Sequence, residues 1–243
     1  DHFKEALAIP EVLADPGATT TAMNNAALNY LGLGEAEKAT ALLSDVVASA
    51  RRHGLTRYMY RYMTNLGMAR YETGDLPGAI RTMDEALDWA REHVNLEVTV
   101  QCLENLGGFH SQRGLFDRAA RVLEQARVTH QELGGGAGLL PVIDFLGRVH
   151  RELGRIQEAR DLHREGLALA RKLNVRVQEG FLLAALANDL LDEGALQAAE
   201  DSAREALEIG RDINHQRICC HAHCILALAA ARRGDRKALA TNT

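Results

Sequence analysis

Apolar residues recur three and four positions apart along this chain, in segments of about 14–18 residues, which is the spacing of a helix with one buried face. Between Asp75 and His93 the stripe reads Leu76, Ala79, Ile80, Met83, Ala86, Leu87 and Ala90. Pro77 falls in the first turn of that segment, where its missing N–H costs nothing. Tyr58, Tyr60 and Tyr62 alternate at a strand period, but the helical pattern around them overrules it, placing Tyr58 and Tyr62 on one face and Tyr60 on another.

The segments belong to a repeat. Gly34, Gly74, Gly114, Gly154, Gly194 and Gly234 stand 40 residues apart. Five residues after the first five of them comes Ala: Ala39, Ala79, Ala119, Ala159 and Ala199. Seven before each of the six stands a small residue: Ala27, Gly67, Gly107, Gly147, Ala187 and Ala227. The repeated Gly predicts a helix end in the left-handed backbone region, which is costly for a residue with a Cβ. The small residues predict a close crossing of two helices. Each unit therefore reads as a helical hairpin, a first helix of about 14–18 residues and a second of about 18. Turn chemistry separates the units at Asp15-Pro16-Gly17, Gly54, Asn95, Gly134 to Gly138, Asn174 and Asn214.

The expected fold is all-α, a right-handed superhelical solenoid of about six hairpins with a leading half-unit. The units fall at residues 20–54, 56–94, 96–134, 140–174, 176–214 and, in part, 216–243, with the half-unit over 1–14, all in one domain 1–243. The pattern opens mid-unit and no initiating Met is present, which predicts a longer parent protein.

Composition narrows the function classes. The formal net charge is −5 and aromatic residues make up 5%. Neither a basic nucleic-acid surface nor a base-stacking platform is expected. No apolar run has the length of a membrane span, about 18 residues. Three of the four cysteines crowd into Cys219, Cys220 and Cys224, unlike a disulfide framework, so a reducing, cytoplasmic setting is expected.

Leu66-Gly67, Tyr71, Gly74, Ala79, Met83 and Ala86, and again Leu106-Gly107, Gly114, Ala119, Leu123 and Ala126, resemble the tetratricopeptide repeat consensus. The period of 40 exceeds the common 34, and the Pro that usually closes the second helix is absent. The 40-residue form is similar to Pins/LGN-type scaffolds and kinesin light chains, to Rap-type receptors of bacterial signalling peptides, and to the C-terminal repeats of bacterial transcriptional regulators of the antibiotic regulatory protein and MalT-like ATPase type. The wording Glu165-Gly166-Leu167-Ala168-Leu169-Ala170-Arg171 looks most like the last group. That resemblance implies a sensor or regulatory region that binds a peptide or protein segment, its own effector domain among the options. The expected alternatives are a small-molecule sensor and a self-associating scaffold, with homo-oligomers left open.

In such a stack the first helices line the concave groove. Nine residues before the Gly stand Asn25, Asn65 and Asn105, then Phe145, Ala185 and Ile225. An amide carries two donors and an acceptor and can pair with the backbone of an extended peptide, whatever its sequence. In the scaffold and kinesin light chain families the matching Asn does this; holding neighbouring hairpins together is the alternative. The same face adds Arg61, Thr64 and Met68, then Gln101, Glu104 and Ser111, then Asp144, Arg148 and Arg151, then Phe181 and Asn188. It grades from polar and mixed-charge to more apolar around Phe181, Ala184 and Ala185. Arg148 and Arg151 could hold a carboxylate, or pair with Asp144 or Glu152.

No catalytic residues, cofactor or metal is expected. His215, Cys219 and His223, and Cys220 and Cys224, have i, i+4 spacing, yet one helix cannot converge four ligands on a zinc ion. The Gly134–Gly138 run lacks the strand before it and the Lys-Ser/Thr after it that a phosphate loop needs. His110 and His150 recur at one repeat position, which marks a packing slot. No nucleophile, base or carboxylate pair stands out, so the expected work is binding without bond-making.

Overall fold

The structure, a computed structural model, describes residues 15–234. The expected half-unit over 1–14 and the end of the partial unit, 235–243, lie outside the described residues. Within them the chain is all-α, with no strand. The helices are α1 (Pro16–Gly32), α2 (Ala36–Arg52), α3 (Met59–Glu72), α4 (Leu76–Glu92), α5 (Leu96–Gln112), α6 (Phe116–Glu132), α7 (Leu139–Glu152), α8 (Ile156–Lys172), α9 (Arg176–Asp192), α10 (Leu196–Asp212) and α11 (Gln216–Arg233).

The period of 40 comes from two helices of 17 residues, each followed by a three-residue connection. First helices α3 and α7 have only 14 residues. A 3-10 turn, Thr56–Tyr58, replaces the opening turn of α3. The glycine run replaces that of α7, with Gly134, Gly135 and Gly136 all at positive φ.

All six repeated glycines adopt φ between +69° and +81°. At Gly34 the backbone closes as the repeat requires: Glu35 N–H donates to the Tyr30 carbonyl at 2.8 Å, and Gly34 N–H to that of Leu31 at 3.0 Å. The orphan carbonyls at the helix end are thereby satisfied. The second helices end in the same way one half-period later, at Gly54, Val94, Gly134, Asn174 and Asn214, all with positive φ. The left-handed residue after α4 is Val94, at φ 50°. Asn95 follows it in the connection and caps the next helix, its Oδ1 accepting from Val98 N–H at 3.1 Å.

The small residues sit where helices cross. A Cβ on Gly67 would lie 2.8 Å from Met83 Cε, and one on Gly147 would lie 2.3 Å from His163 Nε2. The five repeated alanines, from Ala39 to Ala199, are fully buried.

The chain divides into two compact units between Gln112 and Arg113. In the first, α2 packs against α1 and α3, α4 packs against α3 and α5, and neighbouring first helices touch, α1 with α3 and α3 with α5. In the second, α8 packs against α7 and α9, α10 packs against α9 and α11, and the first helices touch as α7 with α9 and α9 with α11. Each unit thus sets its first helices side by side in a row.

Candidate functional site

In the first unit the row α1, α3, α5 carries Asn25, Asn65 and Asn105 at one register. Asn25 is exposed; Asn65 and Asn105 are half-buried. The amides of the first two helices are linked. Asn65 Nδ2 donates to Asn24 Oδ1 at 2.8 Å, and Asn24 Nδ2 lies 3.4 Å from Asn25 Oδ1. Asn65 therefore ties its hairpin to the preceding one, the alternative that its sequence position left open. Asn24, buried and central to this chain, was missed; its signal was a polar residue, like Thr64 and Glu104, ten positions before the repeated Gly.

Arg61 and Met68 are half-buried on α3; on α5 Gln101 is exposed and Glu104 half-buried. The Arg61 guanidinium lies over the Tyr58 ring at 4.7 Å and the Tyr62 ring at 5.7 Å. Tyr62 is buried, and its hydroxyl is 3.2 Å from Thr21 Oγ1 on α1, so it packs on the neighbouring hairpin. Tyr60 points elsewhere and stacks on Trp89 with ring centroids 6.4 Å apart. A cavity of about 670 Å³ opens beside these residues, lined by Ala18, Thr21, Asn25, Leu55, Tyr58 and Tyr62 among others.

In the second unit Asp144 accepts Arg148 at 3.2 Å, and Arg148 also covers the Phe145 ring at 5.1 Å. Arg151 reaches Glu152 at 3.9 Å and Asp192 at 4.0 Å. Both arginines are thus engaged by carboxylates of this chain, rather than left for a ligand. Asn188 Nδ2 donates to the carbonyl of Ala184 on its own helix at 3.3 Å. Phe181 meets His215 and His221 edge-on at 5.2 and 6.1 Å, with Arg217 over its ring at 5.4 Å. Ala184 and Ala185 are buried, so the apolar character expected at this end belongs to the interior.

The second unit also holds a pair that sequence reading did not single out. His163, 1% exposed, has Nδ1 2.5 Å from Asp189 Oδ2 and Nε2 3.3 Å from the Asp144 carbonyl oxygen. Asp189 is fully buried; burial raises its carboxyl above the ordinary carboxylate value, and the His163 bond works against that rise. Its other oxygen, Oδ1, has no partner among the described residues. Shut off from solvent and with both nitrogens engaged, the His163 ring is not presented to a substrate.

His110 is buried and His150 half-buried; burial, then the nearby Arg155, lowers the His150 imidazole. Burial pushes the Cys102 thiol up to about 12, which leaves it inert. Cys219 is half-buried, Cys220 and Cys224 are exposed, and all four cysteines are free. Among the described residues no three His, Cys, Asp or Glu side chains come together as metal ligands. No described helix is long and apolar enough to cross a membrane.

Residues 98–172 match the tetratricopeptide repeat family. Comparison with curated proteins by sequence returned no match. Solved structures share the fold at low identity. BtubC from P. vanneervenii is 18% identical with a TM-score of 0.75, over 86% of this chain and 88% of that one. A signal transduction ATPase with numerous domains, with a tetratricopeptide repeat sensor, from Pyrococcus horikoshii is 15% identical with a TM-score of 0.80, over 94% of this chain and 35% of that one. A Rap protein complexed with Competence and Sporulation Factor is 12% identical with a TM-score of 0.68, over 93% of this chain and 63% of that one. At these identities the likeness carries the fold alone: a tetratricopeptide-type solenoid.

Proposed function

We propose that the chain is an interaction module whose first helices bind a peptide or protein segment, and that it serves as the sensor or regulatory region of a bacterial transcriptional regulator. The observation that carries the reading is the register of Asn25, Asn65 and Asn105 on three neighbouring helices of one unit. Backbone-pairing amides at a fixed spacing suit an extended chain, because its peptide groups also recur at a fixed spacing. Asn65 serves both purposes, holding Asn24 with one N–H while its carbonyl oxygen and second N–H remain for a ligand. The sensor role draws support from the Pyrococcus horikoshii protein, whose repeats are named a sensor, and from the Rap protein in complex with its factor. Binding would act by changing how neighbouring hairpins pack, or by docking the effector domain.

The test is selection of binding peptides from a displayed random library, followed by affinity measurements on variants. Asn105→Ala and the double variant Asn65→Ala/Asn105→Ala should weaken the selected peptide, the double by about tenfold, equivalent to roughly 1.4 kcal/mol. Unchanged affinity in the double variant removes the residue-level basis of the proposal.

A further inference from the structure

We propose that a second cavity of the first unit, between α2, α3 and α4, binds a short-chain monocarboxylate on the side chain of Arg70. The site begins with two departures from the repeat. Four positions before the repeated Gly the chain reads Tyr30, Arg70, His110, His150, Leu190 and Ala230. Eight after it the chain reads Leu42, Thr82, Val122, Leu162 and Ser202. Only the second repeat sets an arginine against a hydroxyl at these positions, and the two meet. Arg70 Nη1 donates to Thr82 Oγ1 and, at 3.3 Å, to the Gly78 carbonyl. Thr82 Oγ1 donates to the same carbonyl at 2.8 Å. Beside them lies a cavity of about 190 Å³, whose wall includes Arg51, Met63, Leu66, Arg70 and Glu85.

The wall fixes the ligand's sign and size. Arg70 is half-buried, and no carboxylate of the described residues pairs with it. Arg127, Arg151 and Arg160 are half-buried too, and each meets a carboxylate, as a cation drawn out of water requires. With Nη1 committed to Thr82 and Gly78, Arg70 keeps the donors of Nε and Nη2. Neither atom has a partner among the described residues, and neither is closed to solvent, unlike Arg61 Nε. Those two nitrogens form one edge of the guanidinium, the fork that matches the two oxygens of a carboxylate. Arg51 and Glu85 neutralise each other in an ion pair of 2.6 Å, so the wall carries one net positive charge. A monoanion balances it, whereas a phosphate dianion would set its second charge against Glu85. Met63 and Leu66 are buried, and with Val47 they offer apolar surface to a short carbon chain. The volume falls below the roughly 300–1,000 Å³ of pockets for drug-sized ligands, which limits the acid to a few carbon atoms. No residue of this wall belongs to the asparagine row or is Arg61, Met68, Gln101 or Glu104, so the proposal stands apart from the peptide reading.

The experiment follows the Arg70 Nε–H signal of the ¹⁵N-labelled full chain during titration with sodium butyrate, its neutral counterpart butyramide, or sodium phosphate. Sodium chloride holds the ionic strength constant. Butyrate should shift the signal saturably, and butyramide should leave it in place. Arg70→Lys keeps the charge and loses the fork; followed at the Thr82 backbone amide, it should weaken butyrate by about tenfold. Glu85→Gln removes the opposing carboxylate and frees Arg51, and should tighten butyrate by about threefold. If Arg70→Lys lowers the melting temperature, the butyrate–butyramide comparison and Glu85→Gln still decide. Absence of a saturable shift with butyrate, an equal shift with butyramide, or unchanged butyrate affinity in folded Arg70→Lys would overturn the proposal. So would weaker butyrate binding in Glu85→Gln, or phosphate that binds more tightly than butyrate.

Discussion

At the scale of single residues, the sharpest departure from the repeat is His163 with Asp189. Nine positions after the repeated Gly the chain reads Leu43, Met83, Leu123, His163 and Ala203. Five before it the chain reads Asn29, Ala69, Phe109, Val149, Asp189 and Ala229. Aligning the repeats exposes both residues as intruders in mostly apolar columns; their pairing across α8 and α9 was beyond a sequence pattern, because 26 residues separate them. Removing one partner leaves a buried carboxylate alone, whereas removing both restores an apolar contact of the kind Leu43 and Ala69 provide at the same positions. His163→Leu should therefore cost about 3–5 kcal/mol, and His163→Leu/Asp189→Ala should be close to neutral or more stable than wild type. Urea unfolding of the three proteins checks this. The pH dependence follows from burial. A carboxyl raised in the folded state binds more protons folded than unfolded, so its presence favours folding at low pH and that contribution is lost as pH rises through its folded value. The gap between the single and double variants should narrow as pH falls from neutral into the carboxylate range. A gap that widens on acidification contradicts the assignment.

At the scale of helices, the repeated Gly positions, the hairpin and the second-helix length were legible, since each has one physical cause that leaves a mark in sequence. The helix end at Val94 left none. A β-branched residue at φ 50° breaks the rule that gives Gly54, Asn174 and Asn214 at the same half-period position, so residue type marks the connection at Asn95 without marking its left-handed residue. Val94 is 81% exposed, so its side chain contributes little packing to offset the strain. Val94→Asn and Val94→Gly should each raise stability, Asn by about 1 kcal/mol. Thermal melts give the answer, and a fall in melting temperature for both would show that the backbone there is not strained. The shortened starts of α3 and α7 were equally hidden, because a 3-10 turn and a glycine-rich turn replace only one turn of helix.

For the whole molecule, the all-α repeat fold followed from periodicity, while the site was legible only in part. Asn25, Asn65 and Asn105 fell in register on neighbouring helices, as their 40-residue spacing requires. Their bonding did not follow from spacing: Asn65 is committed on one side to Asn24. Arg148 and Arg151 show the same limit, since their carboxylate partners come from both their own helix and α9. The cavity beside Tyr58, lined by Ala18 and Tyr62 among others, left no mark in the residue pattern. Each unit has its own row of first helices, and the three asparagines in register belong to the first.

The most direct test of that reading follows the side-chain amide signals of Asn25, Asn65 and Asn105 in ¹⁵N-labelled protein as a library-selected peptide is added. The account predicts saturable shifts of these signals, with residues on the outer face of the second helices, such as Glu85, unmoved. Shifts confined to the second helices, with the three asparagine amides unchanged at saturation, would contradict it.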